Sequence, residues 1–343
     1  MERIDILSLG FDEILEEVQL MGESKFRAKQ IFSWLHEKKV TSFEEMTTLS
    51  LPLRQRLDEK FCLNRLKIVK RLASSIDDTV KYLYQLPDGN YVETVWMEYH
   101  HGVSVCLSTQ VGCRMGCKFC ASTIAGYVRN LTVGEILLQI YEAERDMGKN
   151  IDSIVLMGIG EPLDNYSNVI SFLKILSDPN GRCMSNRHVT LSTCGIVPRI
   201  YDLAEDAPGV TLSISLHSPT DEKRSEIMPI NKRYNISQVL EAARVFFKKT
   251  GRRVTFEYAV IEGVNSAEKD ASALARLLKG MQCHVNLIPV NPIAERSYHG
   301  NRKTAKQLME KLSSLGINAT VRRTLGSDIE AACGQLRRNA LDK

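Results

Sequence analysis

From residue 150 onward, one pattern recurs five times: a short apolar run followed by a segment of helix length. The runs are IDSIVLMG, HVTLST, VTLSISL, RVTFEYAV and HVNLIPV. Each is apolar over most of its length, as a strand covered on both faces must be, and the segments between them are amphipathic. This alternation predicts parallel βα units, hence an α/β fold. Four runs pass directly into polar or glycine-rich ends, GIGEP, STCG, SLHSP and PVNP. Ligands of βα barrels and open α/β sheets gather beyond the carboxyl ends of the strands, so these four ends are expected to converge on one site.

The first sixty residues read differently. Ile14, Leu15, Val18 and Met21 recur at helical spacing before Gly22, and Ser24 is placed to cap KFRAKQIFSWLHEK. Ser42 with Glu45 forms a possible capping box, and Pro52 suits a first helical turn, so SFEEMTTL and LPLRQRLDEKF are expected as two further helices. From Lys67 to about Thr109 the pattern becomes strand-like. YLYQL and YVETVWMEY flank the turn residues Pro87-Asp88-Gly89-Asn90, which predicts a hairpin. The expected organisation is a helical accessory domain over 1–66, a β-hairpin linker over 67–98 and a core over 99–343.

Cysteine usage points to chemistry. There are nine, an odd number, and three of them form the array Cys113-x-x-x-Cys117-x-x-Cys120 after the strand SVCLST. That does not resemble a disulfide framework and suits a reducing compartment. A closed structural zinc site wants four ligands, and no nearby His or second CxxC completes one. Three thiolates on a 4Fe-4S cluster leave one iron open, which is useful when that iron must grip a substrate. Cys62, Cys183, Cys194 and Cys283 are read as packing cysteines, with Cys194 adjoining one of the polar strand ends.

Charge and hydropathy exclude rather than select. The net charge of +4 is too small to indicate nucleic-acid binding on its own, and the basic runs at Arg65–Arg71, Lys248–Arg253, Arg322–Arg323 and Arg337–Arg338 read as solvated helix ends or faces. No stretch approaches the length of a membrane span, and the first residues show no export signal, so the expected compartment is the cytoplasm. Gly158-Ile159-Gly160 lacks the third glycine of a dinucleotide fingerprint.

The cysteine array on the loop after the first strand of a partial barrel resembles the radical S-adenosylmethionine (SAM) superfamily. CRMGCKFCAS, VLMGIGEPLDN, LSTCGIVPR, SISLHSPTDEKR, NLIPVNP and GSDIEAACGQL together resemble its RlmN/Cfr family of RNA adenine methyltransferases over almost the whole chain. The resemblance implies a partial (βα)6 barrel with a small N-terminal helical domain and a linking β-hairpin. It also implies one 4Fe-4S cluster on Cys113, Cys117 and Cys120, with SAM used twice per turnover and lined by Gly160, Glu161, Ser192, Ser215, Leu216, His217 and Asn291.

By the same resemblance Cys333 is methylated and its S-methyl carbon becomes a radical that adds to C2 of adenine. Glu93 takes the C2 proton, and Cys106 attacks the sulfur of Cys333 to release product as a disulfide forms. The implied substrates are 23S rRNA in the peptidyl transferase region and tRNA just 3' of the anticodon. An electron donor such as flavodoxin or ferredoxin is implied, with no membrane and no stable protein partner. From the residues alone, an outward-facing strand carboxylate explains Glu93, a satisfied turn histidine explains His217, and core packing explains Cys106. Alternatives of function are adenosine C8 methylation of the Cfr type, activation of a partner protein through a glycyl radical, and an RNA-binding protein with a passive cluster.

Overall fold

A computed structural model describes residues 3–337. Helices α1 (Phe11–Leu20), α2 (Lys25–His36) and α3 (Leu51–Lys60) open the chain. Pro52 sits in the first turn of α3, where its missing N–H costs nothing. The capping box predicted at Ser42 and Glu45 forms, with the Ser42 N–H donating to the Glu45 carboxylate at 3.1 Å, but it closes only a single 3-10 turn, Phe43–Glu45. The full helix expected over SFEEMTTL is absent, since Thr47 and Leu49 turn back on Glu45 and Met46.

Ten strands then form one sheet whose spatial order follows the chain. They are β1 (Lys67–Ala73), β2 (Thr79–Gln85), β3 (Tyr91–Tyr99), β4 (Gly102–Cys106), β5 (Ser153–Leu156), β6 (Val189–Thr193), β7 (Thr211–Ser215), β8 (Val254–Val260), β9 (Cys283–Pro289) and β10 (Ala319–Val321). β1 to β4 pair antiparallel, while β4 to β10 pair parallel throughout. Each parallel step crosses over through helix, namely α4 (Val133–Met147), α5 (Tyr166–Ser177), α6 (Val197–Asp206), α7 (Asp221–Ile227) with α8 (Ile236–Thr250), α9 (Glu268–Leu278) and α10 (Arg302–Ser314). Six βα units ending in a short seventh parallel strand make an open, partial barrel.

The hairpin of β2 and β3 is continuous with the barrel sheet through the β3–β4 pair, which sets Val95 opposite Cys106. The segment expected as a linker is therefore part of the barrel sheet. The N-terminal helices share one hydrophobic core with the barrel. Their seam runs through α4, capped by Thr132 and ended by Gly148 in the left-handed conformation. There the fully buried His36 meets the Tyr141 hydroxyl at 2.9 Å, and burial lowers the imidazole to about 3, so it is neutral at physiological pH.

Candidate active site

All four predicted strand ends reach one cavity. Gly160 and Glu161 after β5, Ser192 at β6, Ser215 and His217 at β7, and Asn291 after β9 border it together with Cys113, Cys117, Cys120 and Cys333. Together with its open mouth, the cavity spans about 960 Å³. Leu216 is the exception to the expected set: its side chain is fully buried in the barrel core, and only its backbone serves the site, by donating to the Glu257 carbonyl at 3.0 Å. Strand alternation explains the difference, because neighbours in extended chain face opposite ways.

Two glycines permit the close approaches on which the cysteine loop depends. Gly112 (φ +74°) precedes Cys113, and a Cβ there would lie 1.7 Å from the Gly126 carbonyl oxygen. Gly160 (φ +108°) leaves 2.6 Å between its missing Cβ and Gln110. The loop is then pinned by Lys118, whose N–H donates to the Ile227 carbonyl of α7 at 2.9 Å, and by the Thr123 hydroxyl, which donates to the Cys120 carbonyl at 2.9 Å.

None of the three loop thiols is in a disulfide. Burial pushes the Cys113 thiol up to about 12 and raises Cys117 and Cys120 as well, with neighbouring thiols adding to the effect. Among the described residues no three ligating side chains are already drawn together as a single-ion cage. Thiols held in apolar surroundings become ligands when a metal's positive charge compensates the lost hydration.

Around them the second layer is hydrogen-bonded. Glu161 accepts from the backbone N–H of Cys194 at 2.7 Å and of Leu163 at 3.0 Å, so its carboxylate ties the end of β5 to the end of β6. Buried His217 adopts φ +55° and accepts the Ala259 N–H at Nδ1 (2.9 Å), which leaves the proton on Nε2. Its backbone is locked by the Asn265 amide at 2.7 Å, and burial lowers the ring to about 3. It is thus both a satisfied histidine and part of the cavity wall.

Cys333 sits at the junction of this cavity and a second, smaller one bordered by Met97, Tyr99, Arg323 and Leu325. Asn291 donates to the Cys333 carbonyl at 3.1 Å, and the Gly334 carbonyl accepts from the Ala121 N–H at 2.8 Å, so the segment is anchored to the cysteine loop. Cys106 lies behind, in an apolar cluster with Val95, Met97, Ile159 and Leu336. Burial raises its thiol to about 12; Cys333 raises it further, and Arg322 opposes the shift.

Glu93 is not the outward-facing carboxylate that its strand context suggested. It is buried, paired with Lys81 at 3.1 Å and accepting the Arg337 N–H at 2.7 Å, and it borders neither cavity. Burial raises its carboxyl, with Lys81 pulling the other way. The pair predicts a stability effect: Lys81→Met strands a buried carboxylate and should cost about 3 kcal/mol, read as a lowered midpoint in urea denaturation. An unchanged midpoint would show that Glu93 is neutral or hydrated in the folded protein.

Sequence reasoning missed three residues here. Arg322, taken as part of a solvated basic run, borders both cavities and approaches Met157 Sδ at 3.3 Å. Glu257 borders the main cavity and accepts from Ser213 at 2.7 Å and Asn286 at 2.9 Å. Arg224 is fully buried beneath the strand ends. A carboxylate inside the apolar run RVTFEYAV is the signal that could have found Glu257; nothing in the sequence distinguishes the two arginines from surface ones. Arg338, the second residue of its basic pair, lies outside the described residues, while Arg337 pairs with Glu295.

Residues 107–275 match the Radical SAM superfamily, and residues 4–63 match the ribosomal RNA large subunit methyltransferase N-terminal domain. A protein of Alkaliphilus oremlandii (strain OhILAs), described as a probable dual-specificity RNA methyltransferase RlmN, is 54% identical over 342 residues, 99% of each chain. A protein of the same description from Lachnoclostridium phytofermentans is 50% identical, covering 100% of this chain and 96% of its own. The chain belongs to the RlmN family of radical SAM methyltransferases. A crystal structure of a radical SAM methyltransferase from Sphaerobacter thermophilus superposes with a TM-score of 0.93 at 40% identity, over 98% of this chain and 99% of that one. The cofactors of the family are a 4Fe-4S cluster and SAM. The site fits both: three free thiols for the cluster, and beside them hydroxyls, an amide and a neutral imidazole on converging strand ends. No helix among the described residues is long and apolar enough to cross a membrane.

Proposed function

We propose that this chain methylates C2 of adenosine in RNA, with 23S rRNA in the peptidyl transferase region and tRNA just 3' of the anticodon as substrates. The observation that carries the reading is the pair of thiols outside the cluster set, Cys333 at the cavity junction and Cys106 buried and electrostatically coupled to it. A radical enzyme that only abstracts hydrogen from a partner needs neither, which weighs against glycyl-radical activation. Relatives described as RNA methyltransferases, and the match of the first sixty residues to an RNA methyltransferase domain, support RNA as substrate.

When bound at Cys113, Cys117 and Cys120 and at the strand ends, the cluster and SAM supply a methyl group and one-electron chemistry. The chain supplies the rest. Cys333 carries the methyl carbon; once one of its hydrogens has been abstracted, that carbon would bond to adenine C2 and join protein to RNA, with one electron leaving the adduct toward the cluster. Glu93 takes the C2 proton. Because Leu336 packs beside Cys106 and the Arg337 N–H caps the Glu93 carboxylate, the segment after Cys333 must lift before Glu93 meets an adenine. Cys106, giving up its proton, then attacks the Cys333 sulfur; the carbon–sulfur bond breaks as the disulfide forms, the released carbon takes up a proton to complete the methyl group, and methylated RNA leaves.

Residues 1–66 serve as the RNA-binding accessory part and 99–343 as the catalytic core, with 67–98 as a wall of the core. A reducing protein of the flavodoxin or ferredoxin type supplies electrons, in the cytoplasm where both RNAs reside. Mass spectrometry of nucleosides, after reaction of the reconstituted protein with RNA lacking the modification, should show 2-methyladenosine. The C8 isomer would move the assignment to the Cfr-type reaction, and no methylated base would refute it. RNA binding should also weaken as salt rises, because phosphate contacts release counterions.

A further inference from the structure

Helix α7 places a guanidinium where water does not reach. Arg224 is fully buried, and its five hydrogen bonds all go to uncharged oxygens. Nε donates to the Leu216 carbonyl (3.0 Å). One terminal nitrogen donates to the Asn231 side chain (2.8 Å) and the Tyr234 carbonyl (3.3 Å), the other to the carbonyls of Cys194 (2.8 Å) and Ser215 (3.1 Å). Arginine stays protonated in proteins, and a buried charge without an opposite charge is strongly disfavoured. The other buried lysine or arginine among the described residues, Lys81, has a carboxylate at 3.1 Å. Arg224 has none among its five acceptors.

The groups around Arg224 that can take on negative charge are thiols and one exposed acid. It is coupled to Cys194 and Cys117, and to Asp221, which is solvent-exposed and already caps the Ile236 N–H at 2.9 Å. Helix α7 is also fastened to the cysteine loop: Lys118 donates to Ile227, and Ile227 and Met228 pack with Met115, Cys117 and Phe119. Arg224 does not border the main cavity.

We infer that Arg224 is the buried counter-charge of the iron–sulfur cluster, a positioning residue that raises the cluster's reduction potential while tying together the ends of β6 and β7. A 4Fe-4S core held by three thiolates is already anionic, and one-electron reduction adds a further negative charge. A fixed cation therefore favours the reduced form more than the oxidised one. Low-dielectric surroundings, which make an unpaired Arg224 costly, also make its field strong at Cys117. The inference rests on the family's cluster and is independent of which RNA atom is methylated.

The test is an anaerobic redox titration of the reconstituted full chain followed by electron paramagnetic resonance, with iron and sulfide assayed in every variant. Arg224→Gln, which loses the charge, should shift the midpoint to more negative potential, whereas Arg224→Lys, which keeps the charge but not the five-fold hydrogen bonding, should stay near wild type. Asn231→Asp leaves the guanidinium in place and sets a carboxylate against it; it too should shift the midpoint negatively, and it keeps the test available if Arg224→Gln does not fold. An unchanged potential in Asn231→Asp, or equal shifts in the Lys and Gln variants, would overturn the inference and leave Arg224 as a hydrogen-bonded tie. Wild-type protein that binds no iron and sulfide would instead fault the cluster assignment.

Discussion

Replacing Cys106 by Ala is expected to trap RNA on the protein, and replacing Cys333 by Ala to prevent any attachment. The two thiols act in sequence, so their loss should give opposite products. Without Cys333 there is no sulfur to carry the methyl carbon, and RNA methylation should fall by at least about a thousandfold, a loss typical of a removed nucleophile. The cluster ligands are untouched, so SAM cleavage should persist. Without Cys106 the methyl carrier and the adduct still form, but no thiol attacks the Cys333 sulfur, and covalent protein–RNA should accumulate.

Denaturing electrophoresis with labelled RNA, with peptide mass spectrometry over residues 326–337, reads both outcomes. Two cysteines that only packed the core would each cost about 1 kcal/mol of stability and leave turnover intact. Burial of Cys106 adds a pH signature: with its thiol pushed up to about 12, little thiolate exists at neutral pH. Release of RNA from the wild-type adduct should therefore quicken by roughly tenfold per pH unit over pH 7 to 9. A pH-independent release would remove Cys106 from that step.

Loss of any one of Cys113, Cys117 or Cys120 should abolish reductive SAM cleavage outright. The three thiols border one cavity, and the loop that carries them is fixed by Gly112, Thr123 and the Lys118–Ile227 hydrogen bond rather than by spare ligands. Anaerobically reconstituted wild-type protein should hold about four iron and four sulfide, and each Ala variant markedly less. Folding should survive, because the loop's hydrogen bonds use backbone groups that the substitutions leave in place. Wild-type protein containing one zinc and no sulfide would refute the cluster.

Several features were legible before any coordinates because they depend on local pattern. Apolar runs alternating with helix-length segments predict parallel βα units, and their polar ends predict a shared site, which the main cavity supplies. Ser42 and Glu45 were read correctly as a capping pair yet overextended into a helix, because a cap reports where a turn starts and not how long it runs. The family resemblance places Leu216 with Ser215 and His217 at the cofactor; its side chain lies in the core, so that role is left to its backbone.

Residue type and spacing along the chain were enough for the strand–helix alternation after residue 150, the cysteine array and the family. Tertiary structure alone decided what environment each charged residue occupies. Glu93 could have faced solvent; the continuous β3–β4 pairing and the returning segment at 335–337 bury it against Lys81. Arg322 and Arg224 look like any surface arginines, yet one borders the thiols and the other lies dry beneath them. The physical reason is that burial and charge coupling are set by which segments meet in space, as where residue 93 meets residue 337, and no local pattern encodes those meetings.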